Sequence, residues 1–555
     1  MAQLDVVAEL RKGPSFEHAV ICTYEFDAAF FERSALRHFT SLRARETITI
    51  ATDVATYQSL CHDSSYSPTD LNRLYLVQDF AAKGVFHPKV LLLVSPKRGK
   101  LFVGSANFTS AGLTTNAEMV AAFTYENPDA KTSQGVFQDV YDFLRELALR
   151  VPATTFASNI EELGKTAPWL VAPTSRDIHF VHNLKTSLLE QMVDRVGDSS
   201  VGEFVTVSPF FDRGMNVFDA VREQLRPQTI TIVTQDETTT LPTDAVESWR
   251  KRQKGIKVEV KLIEFPAEER FRSLHAKLHI LRAGKRRICL FGSPNCTAAA
   301  LLSTVTTGNV ETGILVDTTS PRSVDSLLAS PVVRLHTKPL SSIRRAAILP
   351  ELSPSSSLMS LRLLEAVYEG SDTLRVAIEV VKPLFPEDEV LLELVGFMHD
   401  KECIRHMSLA GDFSAPVFAP LGLQDVELLE TTAVRGRLVV HAASGNEEAS
   451  NWRWVENLTL DGRSIRIARA IRDASEDPVK FDEMLHELTK RDDVDAIISF
   501  LTYCNIPVEG LSSILRVPFR LPTTLPKLGP LACRVPNTTT VFHYVTYTCP
   551  HRVGA

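Results

Sequence analysis

No run of about 18 uninterrupted apolar residues occurs in the chain, so no transmembrane helix is expected. The opening stretch, MAQLDVVAELRKG, has no basic segment leading into an apolar core, so no secretory signal peptide is expected either. Cysteine is sparse: 8 among 555 residues, at Cys22, Cys61, Cys289, Cys296, Cys403, Cys504, Cys533 and Cys549, with no CxxC pair. That excludes a small disulfide scaffold and fits reduced thiols in a cytoplasmic protein. Cys533, His543, Cys549 and His551 fall close together, but their spacing matches no familiar zinc pattern, so neither metal nor cofactor is expected. An excess of basic charge is also lacking. The chain carries 60 Lys+Arg against 67 Asp+Glu, a net charge of −7, which taken whole speaks against a nucleic-acid binder. An apolar content of 44% and a charged content of 23% are ordinary for a globular chain and exclude wholesale disorder.

What the sequence does have is an internal repeat. Thr47-Ile48-Thr49-Ile50-Ala51-Thr52-Asp53 aligns with Thr229-Ile230-Thr231-Ile232-Val233-Thr234-Gln235-Asp236, and both read as β-branched strands. Each follows an aromatic-acid cluster, Tyr24-Glu25-Phe26-Asp27 or Phe210-Phe211-Asp212. Helical segments lie between, around 28–38 and 217–225, so each half begins strand, helix, strand. That order predicts an α/β fold with a mixed sheet in each half. The repeat then sharpens. His87-Pro88-Lys89 precedes Gly104-Ser105-Ala106-Asn107, and His275-Ala276-Lys277 precedes Gly292-Ser293-Pro294-Asn295. His and Asn stand 20 positions apart in both copies, and each copy continues to Asn-x-Glu, at Asn116/Glu118 and Asn309/Glu311.

Two apolar runs around Ser95-Pro96-Lys97-Arg98-Gly99 predict a hairpin centred on Lys97, with His87 opposite Asn107 and Lys89 opposite Ser105. The second copy predicts the same about Lys285, pairing His275 with Asn295 and Lys277 with Ser293. Each hairpin then carries an imidazole, an ammonium, a hydroxyl and a carboxamide at its open end. A helix starting after Asn107 or Asn295 would add backbone N–H donors. Such a set can cradle a phosphate and supply a nucleophile.

These residues resemble the phospholipase D superfamily, whose signature of His-x-Lys and Gly-Ser-x-Asn is used twice. The similarity spans roughly residues 15–320. The resemblance implies two mixed-sheet repeats forming one pseudo-twofold catalytic unit. It implies metal-free phosphoryl transfer in two steps, with one histidine as nucleophile (His87 is preferred) and the other, His275, as acid and then base. Lys89, Lys277, Asn107 and Asn295 would hold the non-bridging oxygens, with Ser105 and Ser293 in the phosphate site. The Asp that often follows the family's Lys is Val94 in the first copy and Arg282 in the second. Nuclease-type branches that lack it use a Glu or Gln after the Asn, and Glu118 and Glu311 match. Because both sets lie in one chain, a complete site needs no oligomer.

Charge by region selects the phosphodiester. Residues 1–350 hold 40 basic and 38 acidic residues, whereas 351–555 hold 20 and 29. Residues 251–300 hold 12 basic and 4 acidic residues, and this window leads into the second motif. Arg250, Lys251, Arg252, Lys254, Arg270 and Arg272 are therefore expected to touch a nucleic-acid backbone. Lys285, Arg286 and Arg287 belong to the hairpin's far tip. The expected activity is a nuclease on DNA, with single-stranded DNA or RNA as alternatives. A lipid phosphodiesterase or transferase is a second reading, disfavoured because no basic amphipathic helix or lipidation signal points to a membrane. A binding subunit on a retained scaffold is a third. The resemblance also permits a role in restriction or anti-phage defence.

Four regions are expected: repeats over 1–165 and 166–345, a β-rich domain over 358–470, and a helical pair with an extended arm over 471–555. A Pro/Ser-rich linker at 349–357 separates the second and third. Strands are expected at 374–381, 390–395, 426–429, 438–441 and 454–460, as a small sandwich. Trp452 and Trp454 share a strand face and are expected in a core. Arg463, Arg466, Arg469 and Arg472 would form a stripe on a helix. The acidity of the C-terminal region suits docking of a protein partner, such as a motor ATPase, or restraint of the nuclease.

Overall fold

The computed structural model describes residues 16–459 except 37–47, 64–65, 127–130, 152–153, 172–177, 254, 320–333, 347–358, 399–400 and 412, together with Val6, Glu9 and 542–543. The linker at 349–357, the helical pair, the arginine stripe, Cys533, Cys549 and His551 lie outside these residues.

Apolar segments buried on both faces become the strands of the first sheet: β1 (His18–Cys22), β2 (Ile48–Asp53), β3 (Leu76–Phe80), β4 (Val90–Ser95), β5 (Arg98–Gly104) and β6 (Glu118–Glu126). Continuous burial is what sheets covered on both faces require. Their order is β6-β5-β4-β1-β2-β3, with β1, β2 and β3 parallel and the rest antiparallel. The two-residue strand Phe542–His543 adds parallel to β6. The second sheet contains β7 (His179–His182), β8 (Glu203–Val207), β9 (Thr229–Gln235), β10 (Lys257–Glu264), β11 (Leu278–Ala283), β12 (Arg286–Gly292), β13 (Thr312–Thr318) and β14 (Arg334–His336). Its order is β14-β10-β9-β8-β11-β12-β13-β7, again with three parallel strands, β8, β9 and β10. The segment expected to be helical around 28–38 forms a short α-helix, Ala28–Phe30, that continues as a π-helix, Phe31–Ala35. Its counterpart is the helix Asn216–Leu225. The sheets pack against each other. One core joins Val20, Leu92 and Val103 of the first to Val205, Leu278 and Phe291 of the second.

The β-rich region builds two further sheets. β15 (Leu361–Tyr368), β16 (Thr373–Val380) and β19 (Val417–Pro420) lie with β23 (Glu456–Asn457). β17 (Glu389–Met398), β18 (Lys401–Leu409) and β20 (Arg435–His441) lie with β21 (Glu447–Ala449), and β22 (Arg453–Trp454) pairs β20. Leu363, Val376, Leu392 and Leu438 share the core between them. The run 426–429, expected as a strand, belongs instead to the helix Leu423–Thr431. Asp425 accepts the Gly422 N–H at 2.8 Å and starts the helix just after β19. The four-residue run Val426-Glu427-Leu428-Leu429 fits either period, and here Leu428 and Leu429 are the pair the helix buries. The strand expected at 454–460 is broken into β22 and β23.

Trp452 and Trp454 are indeed core residues, packed with Ile50, Tyr57 and Tyr75 of the first half. Gln58 Nε2 donates to the Trp452 carbonyl at 3.0 Å, and the Trp454 N–H donates to Tyr57 Oη at 2.9 Å. Between them Arg453 forms an ion pair with buried Asp79. Asp79 and Tyr57 raise the guanidinium's pKa against the opposing effect of burial. Removing one partner of a buried pair strands the other charge. Arg453→Met should therefore lower stability by about 3–5 kcal/mol, read as a urea-midpoint shift. A loss below about 1 kcal/mol would mean that the pair behaves as an exposed one.

Candidate active site

In both hairpins the register differs by one residue from the expectation. Ser95 pairs Arg98 and Val90 pairs Val103, while Ala283 pairs Arg286 and Leu278 pairs Phe291. Two-residue turns, Pro96-Lys97 and Gly284-Lys285, close the hairpins without the extra residue a Lys-centred loop needs. Gly284 adopts φ +58°, the left-handed region that glycine enters without strain. His87 is therefore not directly opposite Asn107, nor His275 opposite Asn295. The motif residues converge because the strands end at Gly104 and Gly292. Gly292 has φ +152°, and a Cβ there would stand 2.5 Å from the Thr312 carbonyl oxygen. Beyond the two glycines, the helices Ser110–Thr114 and Ala298–Leu301 follow from Thr109 and Thr297.

The two sets meet through a crossed arrangement. Phe86 bridges Val310 and Leu274 bridges Ala117, each pair joining one half to the other. The His87 N–H donates to the Val310 carbonyl, and the His275 N–H to the Ala117 carbonyl, both at 2.9 Å. The carboxylates cross in the same way. His87 Nδ1 lies 2.9 Å from Glu311 Oε2, and His275 Nδ1 lies 2.7 Å from Glu118 Oε1. Each histidine is thus oriented by the carboxylate of the opposite half. A carboxylate on Nδ1 holds the proton there and leaves Nε2 free for chemistry.

The carboxylates are fully buried and completely satisfied. Ser105 Oγ donates to Glu118 Oε2 at 2.5 Å, and Ser293 Oγ donates to Glu311 Oε2. Asn116 Nδ2 donates to Glu118 Oε1 at 3.2 Å, and Asn309 Nδ2 to Glu311 Oε1 at 2.9 Å. The serines, expected to bind phosphate, hold the glutamates instead. Asn116 and Asn309 are the first residues of the repeated Asn-x-Glu, and the sequence alone assigns them no role. The same holds for Asp53 and Gln235, which end the aligned strands β2 and β9. Asp53 Oδ2 accepts the Phe86 N–H at 2.7 Å, and Gln235 Oε1 accepts the Leu274 N–H at 2.5 Å. Each fixes the residue preceding a motif histidine.

Lys89 and Lys277 are buried at 3% and 0% exposure. Their Nζ atoms donate to the carbonyls of His87 (3.0 Å) and His275 (2.7 Å). Burial, and for Lys89 the neighbouring Lys277, pushes their pKa values down to about 7 and about 8. An incoming anion would restore the protonated state. Asn107 and Asn295 each keep a buried Oδ1 with no hydrogen-bond partner, and Asn107 Nδ2 donates to Glu25 Oε2 at 3.1 Å. Burial lowers His87 to about 4, outweighing the opposing pull of Glu311, and lowers the more open His275 as well. Burial alone would raise Glu118, but His275, Lys277 and Ser105 hold it at about 2. Tyr24 flanks His87 at 5.3 Å between ring centres, and Phe210 presents an edge to His275 at 6.4 Å. Among the described residues no three His, Cys, Asp or Glu side chains gather as metal ligands.

Several basic side chains of the window are paired within the chain. Lys251 pairs with Glu247 at 3.4 Å, Lys261 with Glu259 at 3.2 Å and Arg282 with Glu203 at 2.9 Å. Arg286 pairs with Asp317 at 2.5 Å. Arg272 is 3% exposed and paired with Glu269 at 3.3 Å, so it is structural rather than a surface contact. Arg250 and Arg252, in the helix Thr243–Arg252, are exposed, as is Arg270. Lys254 lies outside the described residues.

No family model and no curated protein matches the sequence. Among solved structures, the chain is similar to polyphosphate kinase from Porphyromonas gingivalis at 10% identity and a TM-score of 0.33. That alignment covers 58% of this chain and 46% of the other. No helix among the described residues is long and apolar enough to cross a membrane.

Proposed function

We propose that the chain is a metal-independent phosphodiesterase of the phospholipase D type, acting as a nuclease on DNA, with its two halves related by a pseudo-twofold and sharing one site. The observation that carries this reading is the crossed pair of His–Glu contacts closed around two buried lysines. His87, the more strongly neutral imidazole, attacks phosphorus through Nε2, forming an N–P bond as the bond to the leaving oxygen breaks. His275 gives that oxygen its proton. Water then attacks the phosphohistidine while His275 takes the proton back, and His87 is released. Lys89, Lys277, Asn107 and Asn295 stabilise the equatorial oxygens. A polymer with bases suits the His275 side, where exposed Phe210 and Phe271 offer ring faces beside Arg270.

The test is incubation with plasmid and single-stranded DNA in excess EDTA, with rapid quenching to trap phosphate on His87. Cleavage lost on chelation, or no phosphohistidine under any condition, would refute the mechanism. The pH dependence is also set. His87 must be neutral, so kcat/KM should rise as pH climbs through about 4. His275 must carry a proton, and its pKa lies below 6.5, so the same rate should fall again before neutrality. An optimum well above pH 7 would exclude this assignment.

A further inference from the structure

The two lips of the cleft differ in chemistry. Thr23 and Ser208 follow the matching strands β1 and β8, and their hydroxyls donate to the carbonyl two residues on: Glu25 at 2.6 Å and Phe210 at 2.9 Å. Each hydroxyl also accepts the N–H that follows a motif asparagine, from Phe108 at 2.9 Å and Cys296 at 3.2 Å. Glu25 and Phe210 therefore occupy corresponding places, a carboxylate on one lip and a phenyl ring on the other. Glu25 bonds Asn107, and its charge acts on both Lys89 and Lys277. It also opens onto a cavity of about 350 Å³ lined by Asp27, Thr56, Ser59, Asp63 and Tyr66, with no lysine or arginine among the described lining residues.

We propose that Glu25 makes the enzyme selective for strand ends: the phosphate that is cut carries a terminal, uncharged nucleoside on the Glu25 side and the continuing strand on the His275 side. This rests on the phosphodiesterase reading above. An internal phosphodiester has a further phosphate on each side. The one entering beside Glu25 would bring a negative charge against a carboxylate and a cavity lined by the further acids Asp27 and Asp63. A terminal nucleoside brings no such charge. Its hydroxyl and amino groups are donors for Glu25, and the exposed Ser59 hydroxyl can meet its acceptors. The attack by His87 then expels the shortened strand, protonated at its new hydroxyl by His275. Hydrolysis of the phosphohistidine releases a mononucleotide. That product is a monoester with more negative charge than the diester, so Glu25 also favours its departure.

The experiment compares linear and circular single-stranded DNA of one sequence in EDTA, with bis(p-nitrophenyl) phosphate as a probe that has neither end nor polymer. Wild type should degrade the linear strand at least about tenfold faster than the circle, as expected for one added like-charge contact several ångströms away, and should release mononucleotides from the first turnovers. Glu25→Gln keeps an acceptor for Asn107 and removes the charge, so the linear-to-circular ratio should fall to within about twofold. Equal rates on circle and line for wild type, or an unchanged ratio in Glu25→Gln, would overturn the inference. If bis(p-nitrophenyl) phosphate is still hydrolysed in that case, end selection alone has failed. If that probe and both DNAs are inert, the phosphodiesterase reading has failed and the inference falls with it.

Discussion

On the proposed mechanism, His87→Ala protein should fold normally, bind DNA and lose cleavage by at least about 10⁴-fold, because that mechanism makes His87 the nucleophile. Folding should survive because Glu311 keeps Asn309 and Ser293 as donors when the imidazole is removed. His275→Ala should fail differently. A p-nitrophenolate leaving group needs no proton, so the first step persists on bis(p-nitrophenyl) phosphate. The second step lacks its base, and phosphohistidine accumulates. Rapid-quench labelling separates the two variants: no label in His87→Ala, stable label in His275→Ala. The opposite pattern would exchange the two roles and leave the site intact.

The crossed carboxylates give the second large effect. Glu311→Gln should mimic the loss of His87, although Glu311 belongs to the other half of the chain. Glu118→Gln should mimic the loss of His275. A carboxamide can present its N–H₂ to Nδ1 and so favour the wrong tautomer, for which a loss of about 10³–10⁴-fold in kcat is expected. Both glutamines are close in shape to what they replace, and Asn116 or Asn309 remains beside them. Melting temperatures should move little while the labelling pattern follows the opposite half. Labelling that followed the same half instead would show that the contacts in solution are not crossed. Glu311→Gln combined with His87→Ala should be no worse than His87→Ala alone, since the two act as one unit.

Much of this site was legible because the repeat doubled every signal. The histidines, lysines and asparagines stood at equal spacings in both copies, and a glutamate followed in each as Asn-x-Glu. The register of the hairpins was not legible. Pro96-Lys97 and Gly284-Lys285 close two-residue turns, and a sequence can show that a turn exists more readily than which residue sits at its apex. The crossing of Glu118 and Glu311 was invisible for a different reason. It depends on the contacts Phe86–Val310 and Leu274–Ala117 between halves, and strand periodicity carries no information about which half a loop will meet. Charge counting misled most. The basic window at 251–300 includes the buried motif residue Lys277 and several side chains already paired with Glu203, Glu247, Glu259, Glu269 and Asp317. In the β-rich region the segment 426–429 was misread because its run is too short to reveal its period.

The exchange of carboxylates between halves has a consequence for the chain as a whole. If the polypeptide were divided between Leu170 and Ile178, each fragment would carry a complete signature and yet hold a histidine with no carboxylate to orient it. On the proposed mechanism neither piece could turn over as a monomer, and recombining the two should restore activity. The linkage between the halves is therefore a matter of chemistry as well as of packing, and a duplicated ancestor with this geometry would have been active only as a pair.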